Sequence, residues 1–75
     1  MNTTTGGGLE MGLGDALLLF RRLGVVRESL SEAEFNVAYY RLARRFHPDI
    51  NPENAELMAN INRARQIILA TYRKA

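Results

Sequence analysis

Pro48 separates two segments whose apolar residues recur with the period of an α-helix, and this break constrains the fold more than any other feature. On the segment before it, one helical stripe is formed by Phe35, Ala38, Leu42, Ala43 and Phe46. On the segment after it, a second stripe is formed by Met58, Ile61, Ala64 or Arg65, Ile68 and Tyr72. Because proline lacks an amide donor and disfavours helical geometry in the preceding residue, the earlier helix must end at the loop. A loop this short between long helices predicts an antiparallel pair.

Local capping signals give the bounds of these two helices. Ser31 and Glu34 have the spacing of a capping box, in which each side chain accepts from the backbone amide of the other residue. Asn51 is a favourable N-cap, and Pro52 follows it at the first helical position. We therefore predict helices at about 32–46 and 52–71.

A shorter helix is predicted ahead of this pair. Asp15 is a favourable N-cap, the residues that follow it are almost wholly apolar apart from two arginines, and Gly24 is a natural stop. This helix, at about 15–23, is too apolar to be stable unless it is buried. Residues 1–14 hold five of the six glycines, and we interpret them as a flexible, disordered Thr/Gly-rich tail. Residues 15–75 would then form the folded domain.

The composition restricts how such a domain is stabilised. The chain has 75 residues, no cysteine and one histidine, which excludes disulfides, thiolate zinc sites and histidine-rich metal sites. No metal and no cofactor are expected, and the fold must depend on apolar packing alone. With six aromatic residues and no tryptophan, we expect a mainly aliphatic core. The predicted class is all-α, with a short helix packed on an antiparallel helical hairpin.

Charge and hydropathy narrow the possible partners. The net charge of +2 is low for a DNA-binding domain of this size, so a nucleic-acid partner is not expected. No stretch approaches the roughly 18 apolar residues that span a bilayer, and no secretory signal begins the chain. We therefore expect a cytoplasmic monomer with no membrane partner. Three cations on the second helix form a local basic patch suited to an acidic protein surface: Arg41, Arg44 and Arg45.

The loop His47-Pro48-Asp49 is the candidate functional site. Asp49 is a carboxylate in a constrained loop, suited to a partner's arginine. Pro48 fixes the backbone and so lowers the ordering cost of binding, and His47 could hold the loop through its ring nitrogens. A simpler interpretation is that His47 and Pro48 stop a helix while Asp49 forms a turn. For an isolated tripeptide this simpler interpretation is the better one, so the flanking sequence decides.

The flanking sequence resembles the J-domain family of chaperone partners over about residues 16–68. The stretch AYYRLARRFHPD looks like the end of that family's second helix, whose characteristic positions are held by Tyr39, Leu42, Ala43 and Phe46. Leu23-Gly24-Val25 is similar to the Leu-Gly-Val that ends the family's first helix. Its helix-three pattern is matched by Met58, Ile61, Asn62 and Ala64. Several agreements in the right order make this resemblance far more specific than the tripeptide alone.

The resemblance implies a function in chaperone regulation. In the family, the His-Pro-Asp loop contacts the nucleotide-binding domain and interdomain linker of a DnaK-type (heat-shock 70) chaperone. The aspartate pairs with an arginine there, and contact triggers ATP hydrolysis. This chain would then be an activator and not an enzyme, since catalysis belongs to the partner. The partner-binding residues implied are His47, Pro48, Asp49, Arg41, Arg44, Arg45, Tyr39 and Asn51.

The chain also departs from the family pattern. Asn36 and Tyr40 occupy positions where the family often has a basic residue, and Arg65 stands where an aromatic residue is common. The usual fourth-helix motif is absent, which suggests a divergent J domain. An ordinary solvated face is the other interpretation of the arginine patch, and the adjacent His47-Pro48-Asp49 loop favours docking over it. The alternative function is therefore a J-like scaffold that mediates protein–protein interaction without stimulating an ATPase.

Overall fold

The computed structural model describes residues 10–73 of the chain. These residues form three α-helices, α1 (Leu13–Arg22), α2 (Glu32–Arg45) and α3 (Ala55–Tyr72), with short 3-10 turns at Arg27–Ser29 and Pro52–Asn54. Within this range the chain has no strand, so the predicted all-α class is confirmed. Most of the predicted N-terminal tail, residues 1–9, lies outside the described residues. None of the helices over residues 10–73 combines the length and the apolar character needed to cross a membrane.

α2 and α3 form the predicted antiparallel hairpin. The guanidinium of Arg65 donates to Asn36 Oδ1 at 3.4 Å, and the hydroxyl of Tyr39 donates to Asn62 Oδ1. The earlier residue on α2 thus contacts the later residue on α3, as antiparallel helices require. α1 packs mainly against α3, so the short helix lies on the hairpin as expected.

The start of α1 differs from the prediction. The helix begins at Leu13, with Gly12 as its N-cap, and not after Asp15. Asp15 instead lies in the first turn, where its carboxylate accepts the backbone N–H of Gly12 at 3.1 Å. A carboxylate stabilises the positive end of a helix from either position. Asp15 was therefore correctly predicted to lie at the start of α1, but its assignment as the N-cap was wrong. Two residues assigned to the tail therefore belong to the helix.

The turn from α1 into α2 follows local rules. Gly24 has a φ of 89° and donates its amide to Arg21 O at 3.0 Å, as expected for a glycine that ends a helix. The predicted capping box of α2 is confirmed, since Glu34 N–H donates to Ser31 Oγ at 3.1 Å and Ser31 N–H to Glu34 Oε1 at 2.8 Å. This hydrogen bond from the Ser31 backbone, followed by the contact with its side chain, lowers the pKa of Glu34 below its usual range.

α3 begins later than predicted. Asn51 caps the segment as expected, accepting the Glu53 N–H at Oδ1 over 3.1 Å. The first turn, Pro52–Asn54, is however a 3-10 turn, and regular α-helix runs only from Ala55 to Tyr72. A tighter 3-10 turn at a helix terminus is common, and a capping signal does not distinguish it from an α-turn.

The core is mainly aliphatic, as expected, and two aromatic rings pack against each other within it. Phe20 and Phe35 are completely buried, with ring centroids 5.0 Å apart. The ring of Tyr72 lies 6.0 Å from Phe35 and extends the cluster toward the end of α3. The remaining buried side chains are aliphatic and come from all three helices and the first turn: Ala16, Val25, Leu42, Met58, Ile61, Ala64, Ile68 and Leu69.

The connector between α1 and α2 is held against the C-terminal end of α3. Arg27 donates from Nε and Nη2 to Thr71 Oγ1 at 3.3 and 3.0 Å, and its guanidinium lies 3.7 Å from the ring centroid of Tyr72. The Tyr72 hydroxyl donates to Leu30 O at 2.9 Å. These contacts join the far end of the hairpin, which leaves the loop between α2 and α3 exposed at the other end.

Candidate functional site

The loop between α2 and α3 is organised around His47. The backbone N–H groups of Ile50 and Asn51 both donate to the His47 carbonyl, at 3.0 and 3.2 Å. The N–H of Asp49 donates to the ring nitrogen His47 Nδ1 at 3.1 Å. Pro48 has no N–H to offer. Every backbone donor from Asp49 to Asn51 is therefore satisfied by His47, and the loop has a defined shape without help from either helix.

The hydrogen bond to Nδ1 determines which ring nitrogen of neutral His47 carries the proton. A nitrogen that accepts a hydrogen bond cannot carry the proton, so neutral His47 has its N–H at Nε2, pointing away from the loop backbone. The Asp49 carboxylate lies 3.6 Å from Nδ1, and its side chain is 91% exposed. The loop thus exposes a carboxylate on a constrained backbone.

A shallow groove of about 410 Å³ runs beside the loop between α2 and α3. His47 and Pro48 form one end of it. Small side chains leave the groove open, and the lining is Tyr39, Ala43, His47, Pro48, Ala55, Met58, Ala59 and Asn62. Two of the predicted loop residues and Tyr39 therefore share one continuous surface.

Tyr39 is held in this surface by three neighbours. Its hydroxyl donates to Asn62 Oδ1, and the guanidinium of Arg65 lies 4.5 Å from its ring centroid. The ring of Tyr40 meets it edge-on at 5.3 Å. Tyr39 is half-buried, since its ring also packs against the core.

The three predicted arginines of α2 lie together on its outer side. All three are exposed, and they line one open depression of about 330 Å³, formed by Arg41, Arg44 and Arg45. The guanidinium of Arg45 lies 5.2 Å from the ring centroid of Phe46, at the last turn before the loop. A cluster of like charges in the open creates a positive potential suited to an acidic surface.

Asn51 has a different position from the other predicted site residues. Its side chain caps the turn Pro52–Asn54, and it lines neither the groove nor the arginine depression. Asn36, Asn62 and Arg65 were not among the predicted site residues, yet they make contacts between α2 and α3. Their cross-helix contacts with Tyr39 and with one another depend on how α2 and α3 align, although the one-turn spacing of Asn62 and Arg65 was visible in the sequence.

Three helices with a His47-Pro48-Asp49 loop at the tip of the hairpin define a J-like domain. Comparison with known protein families agrees, since residues 19–75 match the DnaJ domain. The match covers most of the chain, and the chain therefore belongs to the DnaJ domain family.

Curated relatives show similarity over the same region. A DnaJ-like protein of Mycoplasma pneumoniae is 45% identical over 42 residues, which are 56% of this chain and 14% of that protein. The chaperone proteins DnaJ of a Synechococcus species and of Trichodesmium erythraeum are each 46% identical over 55 residues, or 71% of this chain and 14% of theirs. The chain thus matches only about 14% of the length of these relatives. No solved structure matches the chain significantly.

Proposed function

We propose that this domain binds a DnaK-type (heat-shock 70) chaperone and stimulates its ATP hydrolysis through the loop His47-Pro48-Asp49. The observation that carries the proposal is the hydrogen bonding of the loop, in which the amides of Asp49, Ile50 and Asn51 all donate to His47. A DnaJ domain with so constrained a loop is suited to a partner-activating contact. The family membership and the two DnaJ chaperones among the relatives support the choice of partner.

Asp49 is the residue we expect to make the decisive contact. Its carboxylate is almost fully exposed, yet its backbone is already held in place. A carboxylate can accept two parallel hydrogen bonds from an arginine, which gives both strength and direction. Because the loop is ordered before binding, little conformational entropy is lost when the contact forms. We therefore expect Asp49 to make the contact that stimulates the ATPase, while ATP hydrolysis itself is catalysed by the chaperone.

The arginine cluster of α2 would supply the docking charge. Arg41, Arg44 and Arg45 are exposed and adjacent, and they complement an acidic chaperone surface. Exposed charges of this kind mainly accelerate encounter, and salt screens them. The cluster should thus affect how much domain is needed for half-saturation, and it should affect the maximal rate little.

The remaining expectations follow from this function. The domain would act as a monomeric activator without enzymatic activity, cofactor or metal of its own. We expect it to act in the cytoplasm together with its chaperone and to bind neither a membrane nor a nucleic acid.

A scaffold function is the second candidate, and the outer side of α2 favours it. Val37 and Tyr40 are 52% and 58% exposed there, beside the arginine cluster. Such a mixed apolar and basic face could bind another protein without any contact to an ATPase. In that case the loop would serve only as a helix connection.

Single-turnover ATP hydrolysis separates the two candidates. The domain is titrated into a DnaK-type chaperone loaded with ATP, using wild type, His47→Gln and Asp49→Asn. Glu56→Gln is the matched control, because it also changes one exposed carboxylate to an amide but lies on α3, outside the loop. We expect stimulation by wild type and by the control, and none by the two loop variants. A wild type that gives no stimulation, or loop variants that stimulate equally, would leave the scaffold function.

A further inference from the structure

Four polar side chains connect α2 to α3 across the hairpin: Asn36, Tyr39, Asn62 and Arg65. We propose that Arg65 is a positioning residue for the chaperone-docking surface, because it holds the ring of Tyr39 against α3. This inference rests on the proposed function and adds to it a residue on the opposite helix.

The geometry gives Arg65 two contacts on α2. Its Nη2 donates to Asn36 Oδ1 at 3.4 Å, and its guanidinium carbon lies 4.5 Å from the Tyr39 ring centroid. Asn36 and Tyr39 are three residues apart, as are Asn62 and Arg65, so each pair lies on one face of its helix. The cation therefore sits over the ring face while Asn62 accepts from the hydroxyl at the ring's far end.

Stability does not explain why an arginine occupies this position. Its Nε is buried and has no hydrogen-bond partner among the described residues. A buried donor left unpaired costs free energy, so this atom destabilises the fold although the Arg65 side chain as a whole is only half-buried. The compensation at this site comes from the ring of Tyr39 and from Asn36. Arg65 is thus tied to the orientation of Tyr39 more than to the strength of the core.

The orientation of Tyr39 matters because of what it adjoins. Tyr39 lines the groove whose end is formed by His47 and Pro48, and its ring also meets Tyr40 on the exposed side of α2. Without the cation over its face, the ring keeps the hydroxyl contact to Asn62 and the edge contact with Tyr40, but nothing holds its face toward α3. The groove and the adjoining docking face would then lose their shape, while the hydrogen bonds of the loop itself stay intact. Loss of Arg65 should therefore weaken docking to the chaperone without reducing the maximal ATPase stimulation by the His47-Pro48-Asp49 loop.

Three variants test this inference in the intact chain. Arg65→Met removes the cation and keeps an unbranched side chain. Arg65→Lys keeps a positive charge over the ring but loses the planar donor group. Arg22→Met is the matched control, since it removes one exposed arginine from α1. Each is studied by thermal unfolding, by NMR of the Tyr39 ring protons and by single-turnover titration of a DnaK-type chaperone.

We expect Arg65→Met to raise the half-saturating concentration roughly three- to tenfold, between the effects of an exposed and of a fully desolvated cation–π contact. Its maximal rate should equal that of wild type, its melting temperature should be unchanged or higher, and its Tyr39 ring protons should shift. Arg65→Lys should recover part of the affinity. If Arg65→Met titrates like Arg22→Met, the positioning role is wrong and the proposed function stands. The same conclusion follows if Arg65→Met loses affinity only because it unfolds, while Arg65→Lys behaves as wild type. If wild type itself gives no stimulation, the proposed function fails and the inference fails with it.

Discussion

The backbone N–H of Asp49 donates to His47 Nδ1 at 3.1 Å, across the proline that separates the two residues. The histidine therefore holds the backbone of the aspartate while leaving the carboxylate exposed. This relationship gives the loop residues distinct roles: His47 shapes the loop, Pro48 restricts it and Asp49 presents the charge.

Substitutions at His47 separate loop shape from ring chemistry. Asparagine places an acceptor near the position of Nδ1 and can bond the amide two residues on, as in an Asx turn. Glutamine places its polar group one carbon further out. We expect His47→Asn to keep the Asp49 amide hydrogen-bonded and His47→Gln to release it. The measurement is the chemical shift and hydrogen exchange of the Asp49 amide, and equal behaviour of both variants would contradict this role of the ring.

Two glycine substitutions should have opposite effects on stability. Gly24 has a φ of 89°, and a Cβ there meets nothing within 4 Å. Gly24→Ala should therefore cost only the backbone strain, about 1–2 kcal/mol. Gly14 lies inside α1 with equally open space around it, so Gly14→Ala should stabilise the domain by up to about 1 kcal/mol. Urea unfolding measures both, and changes of the same sign would be inconsistent with these backbone conformations.

Stability at alkaline pH should depend on Tyr72. Burial raises the pKa of Tyr72 above its ordinary value of 10.0, although the nearby Arg27 acts in the opposite direction. The folded state thus favours the protonated hydroxyl, which also donates to Leu30 O. This contribution is complete below the unfolded pKa and is lost as the pH rises through the folded pKa.

Thermal unfolding at a series of pH values checks this expectation. Wild type should lose stability above about pH 10. Tyr72→Phe should be less stable at neutral pH, because the bond to Leu30 is gone, and should decline less at alkaline pH. A variant that declines as steeply as wild type would show that Tyr72 is not the group responsible.

Helix existence and type were predictable because the signals are local. The Ser31 and Glu34 spacing predicted a capping box that the structure confirms. The start of α1 was not predictable from the same kind of signal. Asp15 is favourable both as an N-cap and within the first turn, and only the backbone of Gly12 distinguishes the two positions. The central contact of Phe20 with Phe35 depends on how α1 meets α2, which no local pattern specifies.

In the candidate site, too, the local features were predictable from the sequence and the contacts between helices were not. His47, Pro48 and Asp49 are contiguous, so their juxtaposition needed no knowledge of the fold. The contacts of Tyr39 with Asn62 and Arg65 depend on the alignment of two helices, and sequence periodicity does not give that alignment. The partner-binding role of Asn51 stays a prediction, since its observed contact is the cap that its neighbour Pro52 already indicated.

In the proposed function, the loop triggers hydrolysis while the arginine cluster of α2 docks the domain. Full single-turnover titrations test it most directly, with Asp49→Asn compared against the triple variant of Arg41, Arg44 and Arg45 to alanine at two salt concentrations. Asp49→Asn should fail to accelerate ATP hydrolysis even at saturating domain. The triple variant should reach the wild-type maximal rate, with a higher half-saturating concentration that depends less on salt. Normal maximal stimulation by Asp49→Asn, or no stimulation by wild type, would contradict the claim.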